Sequence, residues 1–426
     1  MRVNRPSDIL ITAMPRLAFL LLLAAALTPA ISPAQIRWTH LSSSAGQFPT
    51  PAGSNQQTGS LIADLDRDGV NDIVISFRVH APALAWFRRT GSTWTQTIIE
   101  PAFLPLEAGG AAHDIDRDGD LDIVFGADAS AHQLWWWENP APHFDPATPW
   151  TRRLIKDAPP NQHHDQLFAD LLRTGRPQLV FWNQRARALL LAPIPANPKA
   201  TSPWPATVIF SGHTGEGTQR AAAYAEGLDA ADVDGDGRLD LLAGNYWLRR
   251  TTGAQFEATR IAPTGGRIRA ARFRPRSRNA QIVIAPGDGS GPLMLYECNG
   301  NPREESCWQG RNLLSQDMIH GHTLDIGDVN NDGHLDIFAA EMAKWTRTPA
   351  PADHPEAKSW ILFNDGKANF RPEVITTGPG WHEGRLADLD NDGDLDLLNK
   401  PYTWQAPRLD IYLNNGTGPT KPSRKP

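Results

Sequence analysis

The feature that most constrains the fold is an aspartate-rich segment that returns along the whole chain. Residues 63–75, ADLDRDGVNDIVI, return as HDIDRDGDLDIVF at residues 113–125. Copies begin at residues 64, 114, 170, 232, 272, 328 and 388, at spacings of 50, 56, 62, 40, 56 and 60 residues. The copy at Asp170 keeps only its first aspartate and the glycine, and the copy at Arg272 has lost every carboxylate. Regular self-similarity on this scale indicates a repeat architecture.

Each unit is predicted to form four β-strands. The first ends at the aspartate loop, and the second is the apolar run after it, as in Asp72–Ile75. The third is rich in aromatic residues, as in Leu134–Trp137, and the fourth begins at Trp or Phe, as in Trp94–Ile99. Four-stranded units repeated around an axis are the blades of a propeller. The sequence therefore predicts an all-β, seven-bladed β-propeller.

The ends of the chain indicate how the ring closes. After Asp388 the last unit supplies only three strands, whereas Ile36–Leu41 resembles a fourth strand with nothing before it. We expect the N-terminal strand to complete the last blade, which would leave no free sheet edge. The predicted propeller spans residues 35–418, and the polar residues 419–426 are predicted to be a disordered tail.

The aspartate loop has the ligand spacing of a calcium site. Its pattern, Asp-x-Asp/Asn-x-Asp-Gly-x-x-Asp, puts several oxygens on one tight turn, and calcium takes roughly six to eight oxygen ligands. An EF-hand would need Glu at loop position 12, where Ile75 stands. Acidic turns without an ion are the alternative, although the carboxylates would then repel one another. The five predicted ligand sets are Asp64, Asp66, Asp68 and Asp72; Asp114, Asp116, Asp118 and Asp122; Asp232, Asp234, Asp236 and Asp240; Asp328, Asn330, Asp332 and Asp336; and Asp388, Asp390, Asp392 and Asp396.

These loops resemble the FG-GAP or VCBS repeat, which occurs in integrin α-subunit propellers and in many secreted bacterial proteins. The resemblance covers nearly the whole chain after its first 34 residues. It implies a propeller whose calcium ions are structural and tie the first strand of a blade to the second. Because the copies at Asp170 and Arg272 depart from the pattern, no calcium is expected there.

Residues 1–34 are predicted to be a secretory signal peptide. Three arginines precede the apolar run Leu17–Leu27, and the small-residue site Ser32–Ala34 follows it. A retained N-terminal anchor is the alternative. The expected location is secreted or periplasmic, and no later stretch is apolar enough to span a membrane.

Two cysteines are expected to meet in an oxidising compartment. Cys298 and Cys307 flank an Asn-Gly turn and are predicted to link adjacent strands of a hairpin, with two free thiols as the alternative. The formal net charge of −6 includes the clustered aspartates, and no basic stripe is present. Nucleic acid is therefore not an expected partner, and a monomer is expected.

Titratable residues recur where a propeller would gather them around one mouth of its channel. The segments before each first strand and the loops between second and third strands share that face, and the aspartate loops lie on the other. Any one histidine there could simply line a wet channel, but together they predict a pocket. The candidate catalytic residues are His113, His163, His164, Glu226, His322 and His382. The candidate substrate-binding residues are Arg78, Arg185, Tyr246, Trp247, Arg267, Lys344, Arg385, Lys400 and Tyr402.

These residue types suit proton transfer on an acidic sugar. Arg or Lys can neutralise a uronate carboxylate, while His or Tyr takes and returns a proton. Tryptophans expected to be exposed nearby could stack on sugar rings: Trp247, Trp345, Trp381 and Trp404. The set favours β-elimination on an acidic polysaccharide or dehydration of a sugar. Such chemistry resembles that of propeller polysaccharide lyases and of aldos-2-ulose dehydratase.

Two other interpretations remain open. Two of the histidines could bind zinc with Glu226 or Glu383, and His320 and His322 fit a strand that points both rings to one side. Alternatively, the propeller is not catalytic and binds glycan or protein, as integrin-like propellers do. The histidine pattern favours an enzyme, whereas the lack of a nucleophile elbow, a His-Glu-x-x-His motif or a phosphate loop favours a binding protein.

Overall fold

The computed structural model describes residues 36–211, 226–344 and 352–416. The predicted signal peptide, the polar tail and Trp345 lie outside these ranges. The first strand is β1 (Trp38–Ser42), and two short 3₁₀ helices cover Ser43–Ala45 and Glu305–Cys307. Within the described ranges, no helix has the length and hydrophobicity of a membrane span.

Seven four-stranded sheets, which we call blades I to VII, follow one another along the chain. Blade I contains β2 (Gln57–Ala63), β3 (Asp72–Phe77), β4 (Leu84–Thr90) and β5 (Thr93–Glu100). Blade II contains β6 (Ala111–His113), β7 (Asp122–Gly126), β8 (Gln133–Glu138) and β9 (Thr151–Asp157). Blade III contains β10 (His163–Ala169), β11 (Gln178–Asn183), β12 (Ala188–Pro193) and β13 (Thr207–Ser211). Blade IV contains β14 (Leu228–Ala231), β15 (Asp240–Ala243), β16 (Tyr246–Arg250) and β17 (Phe256–Arg260). Blade V contains β18 (Arg267–Ala271), β19 (Gln281–Ala285), β21 (Met294–Glu297) and β22 (Gln309–Asn312). Beside blade V, the short strands β20 (Ser290–Gly291) and β23 (Met318–Ile319) pair with each other. Blades VI and VII contain β24 (Thr323–Gly327), β25 (Asp336–Ala340), β26 (Lys358–Asn364) and β27 (Phe370–Thr377); and β28 (Arg385–Ala387), β29 (Asp396–Asn399), β30 (Asp410–Asn414) and β1.

All-β, seven-bladed propeller architecture is therefore confirmed, and the ring is joined by the N-terminal strand. β1 pairs antiparallel with β30, in a register that sets Trp38 opposite Asn414 and Ser42 opposite Asp410. The first strand of the chain is thus the outermost strand of blade VII. β30 is thereby paired on both sides, whereas β1 is an edge strand paired on one side, as the outermost strand of every blade is.

The core consists of the interfaces between neighbouring blades. Each of seven apolar clusters joins one blade to the next, and the last joins blade VII to blade I. Successive residues of a strand point to opposite faces of the sheet. In β8, Trp135 and Trp137 therefore pack towards blade I, whereas Trp136 packs towards blade III. This alternation explains why both faces of each strand are apolar.

Blade V carries the predicted disulfide. Cys298 follows β21, Cys307 ends the second 3₁₀ helix just before β22, and the two sulfurs are bonded. β21 and β22 are paired neighbours. The bond therefore closes the connection between two adjacent strands of a blade whose loop has lost its carboxylates.

The strand order places the candidate site. The inner strand of each blade begins at one mouth of the central channel and ends at an aspartate loop. Gln57 at the start of β2 lies opposite Phe77, and Ala63 at its end lies opposite Asp72. Residues six or seven positions before an aspartate loop therefore gather around the mouth.

Replacement of Trp136 by Ala tests the inter-blade core. The side chain is fully buried between blades II and III, so its loss should lower the free energy of unfolding by about 3–5 kcal/mol. Urea denaturation measures the change. Phe103, which is 51% exposed, is the matched control, and Phe103→Ala should cost no more than about 0.5 kcal/mol. Equal effects of the two variants would contradict the assignment of the core.

Candidate functional site

Each of the five complete aspartate loops is held by two recurring hydrogen bonds. The last aspartate, such as Asp72, accepts the backbone N–H of the residue after the first aspartate, at 2.7–3.3 Å in all five loops. The first aspartate, such as Asp64, accepts the N–H of the loop glycine at 2.8–3.2 Å. Gly69 has φ 85°, a left-handed conformation that glycine adopts without steric cost. The repeated pattern therefore produces one loop shape five times.

Carboxylates converge inside four of these loops. Three oxygens lie within 4.8 Å of one another in each of the sets Asp64, Asp66 and Asp72; Asp114, Asp116 and Asp118; Asp232, Asp234 and Asp240; and Asp388, Asp390 and Asp396. The fifth loop has Asn330 at the second position. One buried oxygen each of Asp72, Asp114 and Asp390 has no hydrogen-bond partner, and burial raises the pKa of Asp72 to about 7. Because a hard cation would supply the missing partner, this donor set fits calcium.

The two incomplete copies have a related hydrogen bond from an uncharged side chain. Gln178 of blade III and Gln281 of blade V stand near the position of the last aspartate in the other blades. Their amide oxygens accept the N–H of Leu172 at 2.9 Å and of Arg274 at 3.1 Å, one residue further along than the donor in the complete loops. A backbone contact at this position therefore does not require a carboxylate.

At the opposite end of the ring, three buried side chains from blades III, IV and VI meet. His164, Glu226 and His322 are each at most 6% exposed. Nε2 of His322 lies 2.8 Å from Oε2 of Glu226, and Nε2 of His164 lies 4.0 Å from the same oxygen. We call this group the mouth triad. The sequence predicted all three residues, and the ring brings them together although they are far apart in the chain.

Carboxylates behind the triad control the charge of His164. Its Nδ1 lies 3.0 Å from Oδ2 of Asp165. Burial lowers the pKa of His164, but Asp165, Glu107 and Glu226 outweigh that effect and raise it to about 9. The acidic neighbours therefore favour the protonated imidazole, and would equally favour a bound cation at Nε2.

A stack of rings leads from the triad towards blade VII. The ring of His382 lies 4.4 Å from that of His322 and 4.7 Å from that of Tyr402, nearly parallel to both. Nζ of Lys400 is 2.7 Å from Nδ1 of His382 and donates to the carbonyl oxygens of Gln57 and Thr58 at 2.9 Å each. Burial lowers the pKa of His382 and of Lys400 well below their ordinary ranges.

Blades I and II complete the mouth beside Tyr402. Nη1 of Arg78 donates to the hydroxyl of Tyr402 at 2.9 Å. The same guanidinium pairs with Glu107 and lies 3.4 Å from Asp128. Burial raises the pKa of Tyr402, with Arg78 opposing the rise. The phenol therefore remains protonated around neutral pH.

Beneath the triad, an ion network crosses the channel. Nη1 of Arg267 lies 2.7 Å from Asp165 and its Nη2 lies 3.0 Å from Glu383, so one guanidinium joins blades V, III and VII. Arg385 adds a second contact to Glu383 at 2.7 Å. Asp165 and Glu383 adopt left-handed φ of 45° and 56°, which costs about 1–3 kcal/mol each unless the surroundings enforce it. These four residues form the cross-channel network.

The network separates the mouth from a cavity of about 400 Å³ inside the channel. Asp165, Arg267 and Arg385 line the cavity, whose walls are otherwise the inner strands. Arg267 is only 3% exposed and Lys400 is fully buried. Arg267 and Lys400 are paired with groups of the protein, which argues against their predicted role in holding a substrate carboxylate. The same role for Arg385, which is 20% exposed, stays a prediction.

Two predicted catalytic histidines are misplaced for a role at the mouth. His163 precedes His164 on β10, and because neighbouring strand residues point to opposite faces, its ring packs edge-on against Phe181 while Nε2 contacts the carbonyl of His132 at 3.0 Å. His113 lies at the other end of its strand, opposite Asp122, and packs on Phe168. It belongs to the aspartate-loop end of the channel.

Other expected mouth residues turn out to pack or to lie apart. Trp247 of β16 and Trp381, which precedes β28, are fully buried in inter-blade clusters. Trp247 is therefore not a substrate-stacking residue. Tyr246 packs against Phe210 at 4.9 Å, and Arg185 is exposed on the turn between β11 and β12.

His320 does not join its neighbour His322. Its φ is 53°, which turns the chain before β24. Its Nε2 lies 2.9 Å from Asp353 and its Nδ1 lies 2.7 Å from the carbonyl of Asp288. The expected pairing of both rings on one side of a strand is therefore wrong.

Three carboxylates of the mouth were not among the predicted site residues: Glu107, Asp165 and Asp288. Glu107 stands seven residues before Asp114, as His163 stands seven before Asp170. Counting back from each aspartate loop would have found it. The backbone N–H of Asp288 donates to Oε1 of Glu226 at 2.9 Å, and nothing in the repeat pattern marks that loop position.

Comparison with known families agrees with the repeat and the ring. A family described as FG-GAP-like repeat matches residues 64–125 and 328–398. The chain is a seven-bladed β-propeller with FG-GAP-like repeats at these residues. No curated protein matches it significantly.

Solved structures resemble this propeller at low identity. BBS1N, solved in complex with ARL6DN, matches with a TM-score of 0.51 and 10% identity, over 88% of this chain and 96% of that one. An Agrocybe aegerita lectin specific for non-reducing terminal N-acetylglucosamine matches with a TM-score of 0.48 and 16% identity, over 75% and 80%. The rhamnogalacturonan lyase YesW matches with a TM-score of 0.47 and 13% identity, over 86% and 73%. The first likeness shows the fold alone, and no functional conclusion follows from the others.

Replacement of Arg267 by Met tests the cross-channel network. It would leave Asp165 and Glu383 buried without their shared partner, and we expect the free energy of unfolding to fall by about 3–5 kcal/mol at neutral pH. Urea denaturation measures this, with exposed Arg185→Met as the control expected to change little.

The same variant has a predicted pH dependence. Burial raises the pKa of Glu383, but Arg267 and Arg385 outweigh it and lower the value from 4.5 to about 2. A carboxylate with a depressed pKa stabilises the fold above its unfolded-state pKa, and that stabilisation is lost as pH falls through the folded-state value. The difference between wild type and Arg267→Met should therefore shrink between pH 4.5 and about 2. A difference independent of pH would contradict the network.

Proposed function

We propose that this propeller is an exported enzyme that acts on acidic carbohydrate at the channel mouth, by β-elimination or dehydration. The supporting observation is the convergence of acid–base groups from several blades, among them Glu226, His322, His382 and Tyr402, in a nearly solvent-free cluster. Burying such groups costs free energy unless they are paired or used. Groups with strongly shifted pKa values in one cluster are typical of active sites.

His382 and Tyr402 are the proposed acid–base pair. Burial keeps His382 neutral by lowering its pKa, and burial keeps Tyr402 protonated by raising its pKa. Groups whose environments push their pKa values apart supply a base and an acid at the same pH. Burial lowers the pKa of Lys400, and a neutral amine there would accept the Nδ1–H of His382 while it donates to the carbonyls of Gln57 and Thr58. In that tautomer Nε2 of His382 carries the lone pair that takes the substrate proton.

The proposed reaction uses both groups in one elimination. His382 takes the proton from the carbon next to the sugar carboxylate, and the electron pair of that C–H bond forms the new double bond. The bond to the leaving oxygen breaks, and Tyr402 returns a proton to that oxygen. At the rim, Lys344 is 25% exposed and lies 3.5 Å from Asp288, and it is the cation proposed to meet the substrate carboxylate.

Purified protein should release unsaturated products from a uronate-containing polysaccharide, detected by their ultraviolet absorbance. His382→Gln and Tyr402→Phe should each lower kcat by about 10²–10⁴-fold, the usual contribution of a general acid or base. Arg185→Gln, an exposed residue of the same face, is the matched control and should retain activity.

A second outcome would favour a binding protein. If no polysaccharide in a broad panel is cleaved or dehydrated while glycan binding is retained, the mouth binds carbohydrate without transforming it. Full activity of the His382→Gln variant would contradict the assignment of His382 and Tyr402 as the acid–base pair.

We further propose that the aspartate loops hold about five structural calcium ions. The loop carboxylates named above would be the ligands, and the ion would neutralise charges that otherwise repel. Because the loops lie away from the mouth, calcium would stabilise the scaffold and take no part in the chemistry.

Removal of calcium by a chelator should lower the melting temperature. An ion at 100 times its dissociation constant stabilises the folded state by about 2.7 kcal/mol per site. Asp64→Asn should remove one equivalent of bound calcium, measured by elemental analysis, whereas Asp170→Asn in incomplete blade III should remove none. A melting curve insensitive to calcium would contradict the assignment.

A further inference from the structure

The mouth triad has the donor arrangement of a transition-metal site. Ligand atoms of His164, Glu226 and His322 all lie within 4.8 Å of one another, and all three residues are buried. Donors bound to one tetrahedral zinc ion at about 2.0–2.2 Å are separated by roughly 3.3–3.5 Å. The observed separations of 2.8 and 4.0 Å from Oε2 of Glu226 lie on either side of that value. His164 would have to move towards Glu226 for all three donors to bind one ion.

Carboxylates lie behind both histidines of the triad. Oδ2 of Asp165 lies 3.0 Å from Nδ1 of His164, whereas Oε1 of Glu383 faces Nδ1 of His322 at 3.6 Å, beyond hydrogen-bond range. Metal-bound histidines typically present their second nitrogen to a carboxylate, and Asp165 is close enough to serve His164 in this way. The backbone N–H of Asp288 engages Oε1 of Glu226 at 2.9 Å, so Oε2 is the oxygen turned to both histidines.

A simple histidine–carboxylate hydrogen bond accounts for only half of this arrangement. It explains His322 and Glu226, which are 2.8 Å apart. It does not explain why His164, from another blade, aims Nε2 at the same oxygen from beyond hydrogen-bond range. A single ion between the three donors explains both contacts.

We infer that His164, Glu226 and His322 form a binding site for one divalent transition-metal ion, with zinc as the expected metal. Two imidazoles and one carboxylate are a donor set that zinc favours, and three protein ligands leave a position for water or a substrate oxygen. The site is distinct from the oxygen-only aspartate loops, which favour calcium. The inference is independent of the reaction proposed above.

Zinc stoichiometry tests the inference without any activity assay. Full-length protein is treated with a chelator selective for transition metals, kept in excess calcium, and returned to equimolar Zn²⁺. Elemental analysis should find one zinc per wild-type chain. Glu226→Gln and His322→Gln, both nearly isosteric, should weaken zinc binding at least about 100-fold in competition with a chromophoric chelator, beyond the 10–100-fold typical of an outer-sphere partner.

His163→Gln and His320→Gln are the matched controls, because both histidines lie close in sequence to triad ligands and contact other groups. Both should bind zinc as wild type does. Wild-type protein that retains no zinc at micromolar concentration, or triad variants that bind it normally, would overturn the inference.

X-ray absorption of the zinc-loaded wild type keeps the test valid even if a variant does not fold. Two imidazole ligands and oxygen donors would support the site, and a shell of oxygen alone would overturn it. Zinc bound as expected, in a protein that transforms no carbohydrate, would leave this site standing while defeating the proposed reaction.

Discussion

Every part of this molecule depends on the need of each blade to bury two apolar faces. Alternation along strands such as β8 sends Trp136 to one neighbour and Trp137 to the other, so no blade is stable with only one partner. A closed ring satisfies this need for all seven. Closure also dictates that seven inner strands start at one mouth, and this common origin brings distant polar residues into contact.

The fold could be read from the sequence because its signals are local and repeated. The aspartate loops mark the turn between the first and second strands, and the lone strand at Trp38 has a place only beside the last three strands. Glu226 and His322 could be placed at the mouth because each stands six residues before the first aspartate of a loop. This spacing could not give the direction of each side chain: His163 and His164 are adjacent, yet only one faces the channel.

The remaining errors have a common physical origin. A bulge at Asp165 and a left-handed turn at His320 re-aim side chains by one position, and such irregularities leave no periodic trace. Arg267 and Lys400 were expected to meet a ligand because they are cationic and lie at the mouth. Buried charge, however, must be neutralised from within, and blades III and VII supply the partners. A charged residue at the mouth can therefore be assigned to ligand binding or to internal ion pairing only when its burial is known.

The guanidinium that spans the ring decides how a polymer could be handled. Arg267 joins Asp165 of blade III to Glu383 beside blade VII, so side chains of three blades meet inside the bore. Asp165 and Arg267 line the cavity on the loop side, and no member of the mouth triad lines it. A long glycan threaded through this ring would have to break these buried ion pairs. A glycan that leaves them intact would lie across the entrance, so internal positions of the chain would be as accessible to the protein as its ends.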